Sequence, residues 1–171
     1  SAWDLKVKTG AKTMVSRASH VKCADHLLDH LEEISVGSFL IRCLATPGHT
    51  NTCMSYWIPG AVFTGDALLI RGCGRTDFQQ GSSPRLFASV RENLFSLDDE
   101  TLVFPAHDYK GFSRSSIGLE KRHNPRLGMQ KTEAEFVEIM AQLKLDLPKK
   151  IHEAVPANLE CGKISNVSVG T

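Results

Sequence analysis

Two histidines and one aspartate stand at turns where short apolar runs of the chain end. His49 lies in the segment PGHT, Asp66 in TGDA and His107 in PAHDY. Neutral imidazole and carboxylate bind first-row metals, and two histidines with one carboxylate form the facial ligand set of non-haem iron(II) oxygenases. Glycines beside His49 and Asp66 allow tight turns that aim a side chain inward. The residue types therefore indicate a metal site, although spacing alone does not show that the three side chains converge.

Short strands are the elements that would position these residues. Alternation of apolar and polar residues over 39–45 predicts a strand that runs into the turn before His49. The other predicted strands are 53–58, 61–64, 67–71 and 101–104. Residues 24–33 are ambiguous, because their leucines have helical spacing but their surroundings favour loop and strand.

Two helices are predicted after the strands. Ser83 and Pro84 indicate a helix start, with serine as the N-cap and proline at the first position. Thr132 and Glu135 have capping-box spacing at the start of a second helix. The apolar face of the first would contain Leu86, Phe87, Val90, Leu94 and Phe95, and that of the second Phe136, Val137, Ile139, Met140 and Leu143.

Composition is that of a globular chain. With 171 residues, 42% hydrophobic and 23% charged, the chain can form one packed core. We expect a single partial domain over 1–171, with strands and metal loops in roughly 1–112 and helices and a tail in 113–171. A net charge of +1 provides no basic field for nucleic acid and no charged block for a membrane surface, so neither partner is expected.

The five cysteines are odd in number, scattered and without a C-x-x-C pair. This pattern predicts neither a disulfide framework nor a zinc knuckle, and it favours a reducing compartment. Cys73 has no histidine or cysteine at redox spacing, so we expect it to be packed and unreactive.

Five motifs in one order resemble the metallo-β-lactamase superfamily and, within it, the glutathione persulfide dioxygenases, also called sulfur dioxygenases. They are TPGHT, the run Phe63–Gly81, PAHDYKGF, NPRL and the tail segment AVPANLECG. The resemblance covers roughly residues 13–162, and five ordered motifs are far more specific than a lone Gly-His or Gly-Asp pair. It implies an α+β fold, the αββα sandwich, of which this chain would be the C-terminal two-thirds.

The resemblance also implies roles at the metal. His49 and Asp66 would bind Fe(II), one ion per complete site, with zinc as a substitute. His107 would stand beside the ion without binding it and orient a water or a ligand, whereas hydrolases with two metals use the equivalent histidine as a ligand.

Substrate contacts are implied in the same way. Tyr109 would lie with His107 beside the metal, and Tyr109 and Arg126 match positions that contact glutathione. Arg75 is a further candidate, because a guanidinium can grip a glutathione carboxylate through two hydrogen bonds. Alternatively, Arg75 braces its own loop through an internal ion pair.

One expected metal ligand is not found among these residues. Family members carry a His-x-His-x-Asp-His segment upstream of PGHT, and its first histidine binds iron. The 171 residues contain no such segment. Cys23-Ala24-Asp25-His26 resembles part of it, but we interpret it as unrelated. With one ligand missing, little or no dioxygenase activity is expected from this chain alone, unless His107, another copy or an upstream segment completes the site.

The implied reaction is oxidation of glutathione persulfide by dioxygen to sulfite and glutathione, a step of sulfide detoxification. Two alternatives stay open: a hydroxyacylglutathione hydrolase of the glyoxalase II type, which would use two metal ions, and a non-catalytic remnant that binds glutathione or a partner. TDFQ after GCGR and the NPRL motif favour the dioxygenase. The resemblance further implies a homodimer in the mitochondrial matrix or the cytoplasm.

Overall fold

The structure is a computed structural model that describes residues 1–146 and 149–162. The chain groups into two compact units, one formed by residues 1–28 with the chain from 144 onward, the other by residues 29–143. The single domain expected from the sequence spans both units and stays a prediction, and the end of its helical part, at 147, 148 and 163–171, lies outside the described residues. Helices and strands occur in both units, which confirms the α+β class.

The second unit contains a mixed sheet. Its strands lie side by side in chain order: β3 (Glu33–Val36), β4 (Phe39–Ala45), β5 (Met54–Ile58), β6 (Ala61–Gly65), β7 (Leu102–Pro105) and β8 (Ser115–Ser116). β6 and β7 run parallel, and every other neighbouring pair in this sheet is antiparallel. The predicted strands at 39–45, 53–58, 61–64 and 101–104 are thereby confirmed to within one residue at each end.

The strand predicted at 67–71 is wrong. After β6 the chain forms a turn closed by a bridge between Leu69 and Gly72, and Arg71 adopts a left-handed φ of 56°. Ala67 and Leu68 are completely buried. The apolar run therefore reflects a loop inserted into the core, which sequence periodicity does not distinguish from a buried strand.

The second unit also contains helices. α2 (Ser83–Ser89) continues as a π-helical turn over Val90–Leu94, α3 is Ile117–His123 and α4 is Glu133–Ala141. The N-cap of α2 is Ser82, one residue before the predicted Ser83. The capping box of Thr132 and Glu135 at α4 is confirmed.

The core lies between the sheet and these helices. The rings of Phe87 and Phe136 join α2 to α4 with centroids 5.7 Å apart. Both predicted apolar faces contribute to the core, with Phe87 and Leu143 packed against it and only partly buried. Val137 and Ile139, predicted in the buried face of α4, are partly buried and do not belong to the core cluster. The buried cluster contains Leu44, Val62, Ala67, Leu68, Cys73, Leu86, Val90, Leu94, Phe95, Val103, Ile117, Leu127, Phe136 and Met140.

The first unit contains α1 (Ala2–Thr9), β1 (Met14–Ser16), a 3-10 turn (Arg17–Ser19), β2 (His26–Leu28) and α5 (Ile151–Leu159). β1 and β2 pair in parallel, so the ambiguous residues 24–33 form strand and loop. Cys23 and Cys161 form a disulfide with Cα atoms 6.1 Å apart. The expectation of no disulfide was wrong, because residues 138 positions apart in sequence are brought together only by the fold. Among the described residues, no helix is long and apolar enough to cross a membrane.

Asp25, in the segment that partly resembles the family's histidine motif, has a structural role in this unit. One carboxylate oxygen accepts a hydrogen bond from Lys6 Nζ at 2.5 Å, and the other accepts from the backbone N–H and the hydroxyl of Thr13. These donors hold the pKa of Asp25 well below its usual range, and the hydrogen bond from Lys6 has the largest effect. Its oxygens are thus committed to local contacts, in agreement with the interpretation that the segment is not a metal motif.

Candidate metal centre

The carboxyl ends of three strands meet at one edge of the sheet. β4 is antiparallel to β5, and β5 is antiparallel to β6, so β4 and β6 point the same way; β7 is parallel to β6. His49 follows β4, Asp66 follows β6 directly, and His107 follows β7. Strand direction therefore brings to one edge three residues that are far apart in sequence.

The side chains of His49 and His107 both approach the carboxylate of Asp66. His107 Nδ1 lies 2.6 Å from Asp66 Oδ1, and His49 Nε2 lies 3.5 Å from Asp66 Oδ2. The side chains of His49 and Asp66 are 19% and 21% exposed, whereas that of His107 is 54% exposed. The two residues expected to bind the metal are thus the more enclosed pair, and His107 lies toward solvent.

A backbone carbonyl fixes the orientation of the His49 ring. His49 Nδ1 lies 2.7 Å from the carbonyl oxygen of Arg75. A carbonyl only accepts, so Nδ1 carries a proton, and in the neutral ring Nε2, on the Asp66 side, keeps its lone pair. A hydrogen bond from the second ring nitrogen to a carbonyl is the usual support of a metal-binding histidine.

The loop after β6 comes very close to both residues. The backbone N–H of Gly74 donates to the carbonyl of Asp66 at 2.7 Å. A Cβ atom at Gly74 would lie 2.6 Å from that carbonyl oxygen and 2.8 Å from His49 Nδ1. Only glycine fits here without displacement, which explains a GCGR sequence beside the site.

This donor set fits a metal ion in part. His49 Nε2 and Asp66 Oδ2 are a neutral imidazole nitrogen and a carboxylate oxygen facing each other, the donor types that borderline metals accept. Across the described residues, however, no group of three histidine, cysteine, aspartate or glutamate side chains is placed to hold an ion. The described residues thus bring together two potential donor atoms, one nitrogen and one carboxylate oxygen, and no third.

The three residues expected to bind substrate lie in different settings. Tyr109 is 82% exposed, and its ring stacks nearly parallel to that of His107 with centroids 6.1 Å apart. Arg126 is half-buried and donates from Nη1 to the carbonyl of Cys73 at 3.3 Å. Arg75 donates through Nε and Nη2 to the two carboxylate oxygens of Asp77, both at 2.6 Å.

The pair of Arg75 and Asp77 is an internal ion pair of the loop. The hydrogen bonds from Arg75 hold the pKa of the Asp77 carboxyl below its usual range. The guanidinium also lies 4.4 Å from the centroid of the Phe78 ring. Both contacts hold the side chain inside its own loop.

Cys73 is buried in the same loop. Its side chain is 4% exposed and its Sγ lies 3.7 Å from Met140 Sδ. Burial raises the pKa of the Cys73 thiol to about 11. Because the thiolate is the nucleophile, this raised pKa disfavours reaction near neutral pH, and the packed position expected from the sequence is confirmed.

Sequence reasoning missed a buried polar cluster behind this loop. Glu120 on α3 and Asn124 at its end are completely buried and contact the backbone of residues 71 and 72. The only sequence signal was the spacing of a glutamate four residues before the Asn-Pro dipeptide, which places both side chains on one helix face.

Comparison with known proteins supports the resemblance seen in the motifs. The sequence model of the Metallo-beta-lactamase superfamily matches residues 5–107. The human protein named "Persulfide dioxygenase ETHE1, mitochondrial" is 45% identical over 90% of this chain and 60% of its own length. A beta-lactamase hydrolase-like protein of Agrobacterium fabrum is 32% identical over 94% of this chain and 43% of its own length.

Structural comparison agrees. The crystal structure of ETHE1 from Myxococcus xanthus has a TM-score of 0.90 and 49% sequence identity, covering 94% of this chain and 70% of that chain. The chain spans about 60% of the length of the human relative. The family model covers more than half of the chain, including the loops that carry His49, Asp66 and His107, and the predicted fold is confirmed. On these grounds, the chain belongs to the metallo-β-lactamase superfamily.

Proposed function

We propose that this chain carries the iron-binding and substrate-binding part of a persulfide dioxygenase, which oxidises glutathione persulfide with dioxygen to sulfite and glutathione in sulfide detoxification. The observation that carries the proposal is the pair of His49 Nε2 and Asp66 Oδ2, 3.5 Å apart, in a chain 45% identical to a persulfide dioxygenase. The hydrolase alternative has less support, since the hydrolase-like relative is 32% identical.

Each residue at the site has a proposed task. His49 and Asp66 hold Fe(II), which, when bound, supplies the redox chemistry between the persulfide sulfur and dioxygen. Zinc is a substitute of similar ligand preference. His107 is held by Asp66 Oδ1, which leaves Oδ2 as the oxygen on the His49 side.

Substrate binding is assigned to the rim of the site. Tyr109 stacks on His107 and exposes most of its surface, so it can pack against glutathione at the mouth. Arg126 can grip a glutathione carboxylate with those N–H groups that do not contact Cys73. For Arg75, the two hydrogen bonds to Asp77 support the bracing alternative, because a substrate carboxylate would have to displace an existing one.

The assembly and the location are also proposals. A homodimer is proposed from the family resemblance. The mitochondrial matrix is favoured over the cytoplasm, because the human relative is named as mitochondrial. The third metal ligand would come from an upstream segment, another copy or a shift of His107, and the chain alone would have little or no dioxygenase activity. The non-catalytic alternative applies if none of these completes the site.

Metal content tests the ligand assignment. Purified chain whose intact mass confirms a start at Ser1 should contain clearly less than one iron per chain after reconstitution, and His49→Ala or Asp66→Ala should remove what remains. His123→Ala, on an exposed histidine at the end of α3, is the matched control and should retain iron. Equal iron in wild type, His49→Ala and Asp66→Ala would contradict the assignment.

A chimaera tests the reaction. Fusing these residues behind a family segment that contains His-x-His-x-Asp-His should restore iron to about one per chain and produce oxygen uptake that depends on glutathione persulfide. His49→Ala in the same chimaera should abolish both. Cleavage of S-lactoylglutathione without oxygen uptake would favour the hydrolase instead, and iron binding with neither activity would favour the non-catalytic alternative.

A further inference from the structure

A buried glutamate lies behind the loop that supports the candidate metal centre. Glu120 on α3 is completely buried, and both of its carboxylate oxygens are occupied. Oε1 accepts from Ser115 Oγ at 2.6 Å and from the guanidinium of Arg71. Oε2 accepts from the backbone N–H of Arg71 and from Asn124 Nδ2, both at 2.9 Å.

Asn124 extends this cluster along the loop. Its Nδ2 also donates to the carbonyl of Gly72 at 3.0 Å, and its Oδ1 accepts from the backbone N–H groups of Arg126 and Leu127 at 3.0 Å. Arg126 in turn donates to the carbonyl of Cys73. Three consecutive residues, 71 to 73, are therefore each held by a side chain from α3 or from the turn that follows it.

The next two residues of the loop hold the metal-ligand candidates. Gly74 donates its N–H to the carbonyl of Asp66, and the carbonyl of Arg75 accepts from His49 Nδ1. The loop 71–75 is thus attached at its first three residues to the buried cluster and at its last two to the site. The two sets of contacts lie within one five-residue segment, so a shift of one set moves the other.

Burial gives the cluster its rigidity. A buried carboxylate must keep its partners, because removing a donor or the charge leaves other buried polar groups unsatisfied. The donors to Glu120 and Asn124 include backbone N–H groups, which cannot turn away as a side chain can. The loop backbone is consequently fixed at residues 71 and 72 more firmly than packing alone would fix it.

We propose that Glu120 and Asn124 are positioning residues of the metal centre, acting through the loop 71–75 to hold His49 in the tautomer that leaves Nε2 free to bind a metal ion. The inference rests on the proposed role of His49 and Asp66 as metal ligands. Neither Glu120 nor Asn124 touches the ion or the substrate in this assignment. Their effect passes through the carbonyl of Arg75 and the N–H of Gly74.

The test is the tautomeric state of His49, read from the ¹⁵N shifts of its ring in the full chain at pH 8. Wild type should show one tautomer, with the proton on Nδ1. Glu120→Gln keeps the shape but presents an NH₂ group to existing donors, so the loop should shift and the second tautomer should appear. Ser115→Ala removes one of the donors to Glu120 and should give a smaller change in the same direction; it carries the test if Glu120→Gln does not fold.

Two further measurements separate positioning from general loss of stability. Phe136→Leu, in the core of α4, lowers stability without removing any hydrogen bond of Glu120 or Asn124, and it should leave the His49 shifts unchanged under conditions where each variant is folded. Zn²⁺ affinity by calorimetry should fall about tenfold or more in Glu120→Gln and stay near wild type in Phe136→Leu.

Each outcome decides one of the two proposals. Unchanged His49 shifts in both Glu120→Gln and Ser115→Ala, or an equal change in Phe136→Leu, would overturn the positioning role. If the shifts change as expected but His49→Ala leaves wild-type Zn²⁺ binding intact, the positioning role stands and the assignment of His49 as a metal ligand fails.

Discussion

Gly74→Ala is the sharpest test of how the loop fits the site. The added Cβ would lie 2.6 Å from the carbonyl oxygen of Asp66, 2.8 Å from His49 Nδ1 and 2.9 Å from His49 Cγ. Real Cβ atoms do not approach other atoms this closely, so either the loop or the histidine ring must move. Movement lengthens the hydrogen bond between Gly74 and Asp66, the one between His49 and Arg75, or both.

The expected magnitude follows from these contacts. Overpacking a well-packed site costs about 1–3 kcal/mol, and a weakened hydrogen bond adds about 1 kcal/mol. The reduced freedom of alanine in the unfolded chain returns about 0.4–1 kcal/mol. The free energy of unfolding should therefore fall by about 1–3.5 kcal/mol, which is a decrease in Tm of about 2–14 °C for a chain of this size.

Gly72→Ala is the matched control two residues away. A Cβ at Gly72 would meet only Leu69 Cβ at 3.9 Å, an ordinary contact, and Gly72 does not have a positive φ. Its stability should be within about 1 kcal/mol of wild type. Urea unfolding gives the free energies, and Zn²⁺ calorimetry should show a loss of affinity for Gly74→Ala alone. If the two variants unfold alike and bind Zn²⁺ alike, the close approach at Gly74 is not a constraint and the reasoning fails.

Three further predictions concern the rest of the described chain. Thr132→Ala removes the hydroxyl that accepts from the Glu135 N–H, while the backbone N–H of residue 132 can still donate to Glu135 Oε2; the free energy of unfolding should fall by about 1 kcal/mol, and urea unfolding with no change would contradict the cap. Burial raises the pKa of Cys73 from 9.0 to about 11, so iodoacetamide at pH 8 should label the partly exposed Cys53 first, and Cys73 only in urea. The raised pKa of Cys73 also makes the free energy of unfolding depend on pH. The contribution of the neutral thiol is fully present below pH 9 and is lost as the pH rises through 11. Wild type should therefore lose stability faster than Cys73→Ala over this range. Reducing the disulfide of Cys23 and Cys161, which are 138 residues apart, should lower the free energy of unfolding by about 2–5 kcal/mol, and an unchanged urea midpoint after reduction would contradict it.

The fold was predictable where local pattern and tertiary structure agree. The alternation over 39–45 and the capping box at Thr132 depend on neighbours in sequence, and the structure has a strand and a helix at these positions. The run 67–71 shows the limit. Its residues are apolar because the loop enters the core, and periodicity over five residues does not separate that from a strand. The disulfide depended on contacts that only the folded chain makes.

The candidate site, like the fold, was predictable from the sequence only in part. Residue types and motifs were enough to select His49, Asp66 and His107, because imidazole and carboxylate are recognisable in sequence. Their support was not recognisable, because it is made by backbone atoms: the carbonyl of Arg75 for His49 and the N–H of Gly74 for Asp66. Every residue carries a carbonyl and every residue except proline an N–H, so residue type does not reveal which of them make these contacts.

The burial of Glu120 was also not predictable from the sequence. In sequence, Glu120 is one of several charged residues on a short helix and would be placed in solvent. In the fold it is completely buried, and its partners include the backbone N–H and the guanidinium of Arg71, 49 residues earlier in the chain, besides Ser115 and Asn124. A buried carboxylate that accepts from both the backbone and the side chain of Arg71 ties the start of that loop to α3. That loop contacts both candidate metal ligands, so in our proposal the position of His49 depends on residues that do not touch the ion.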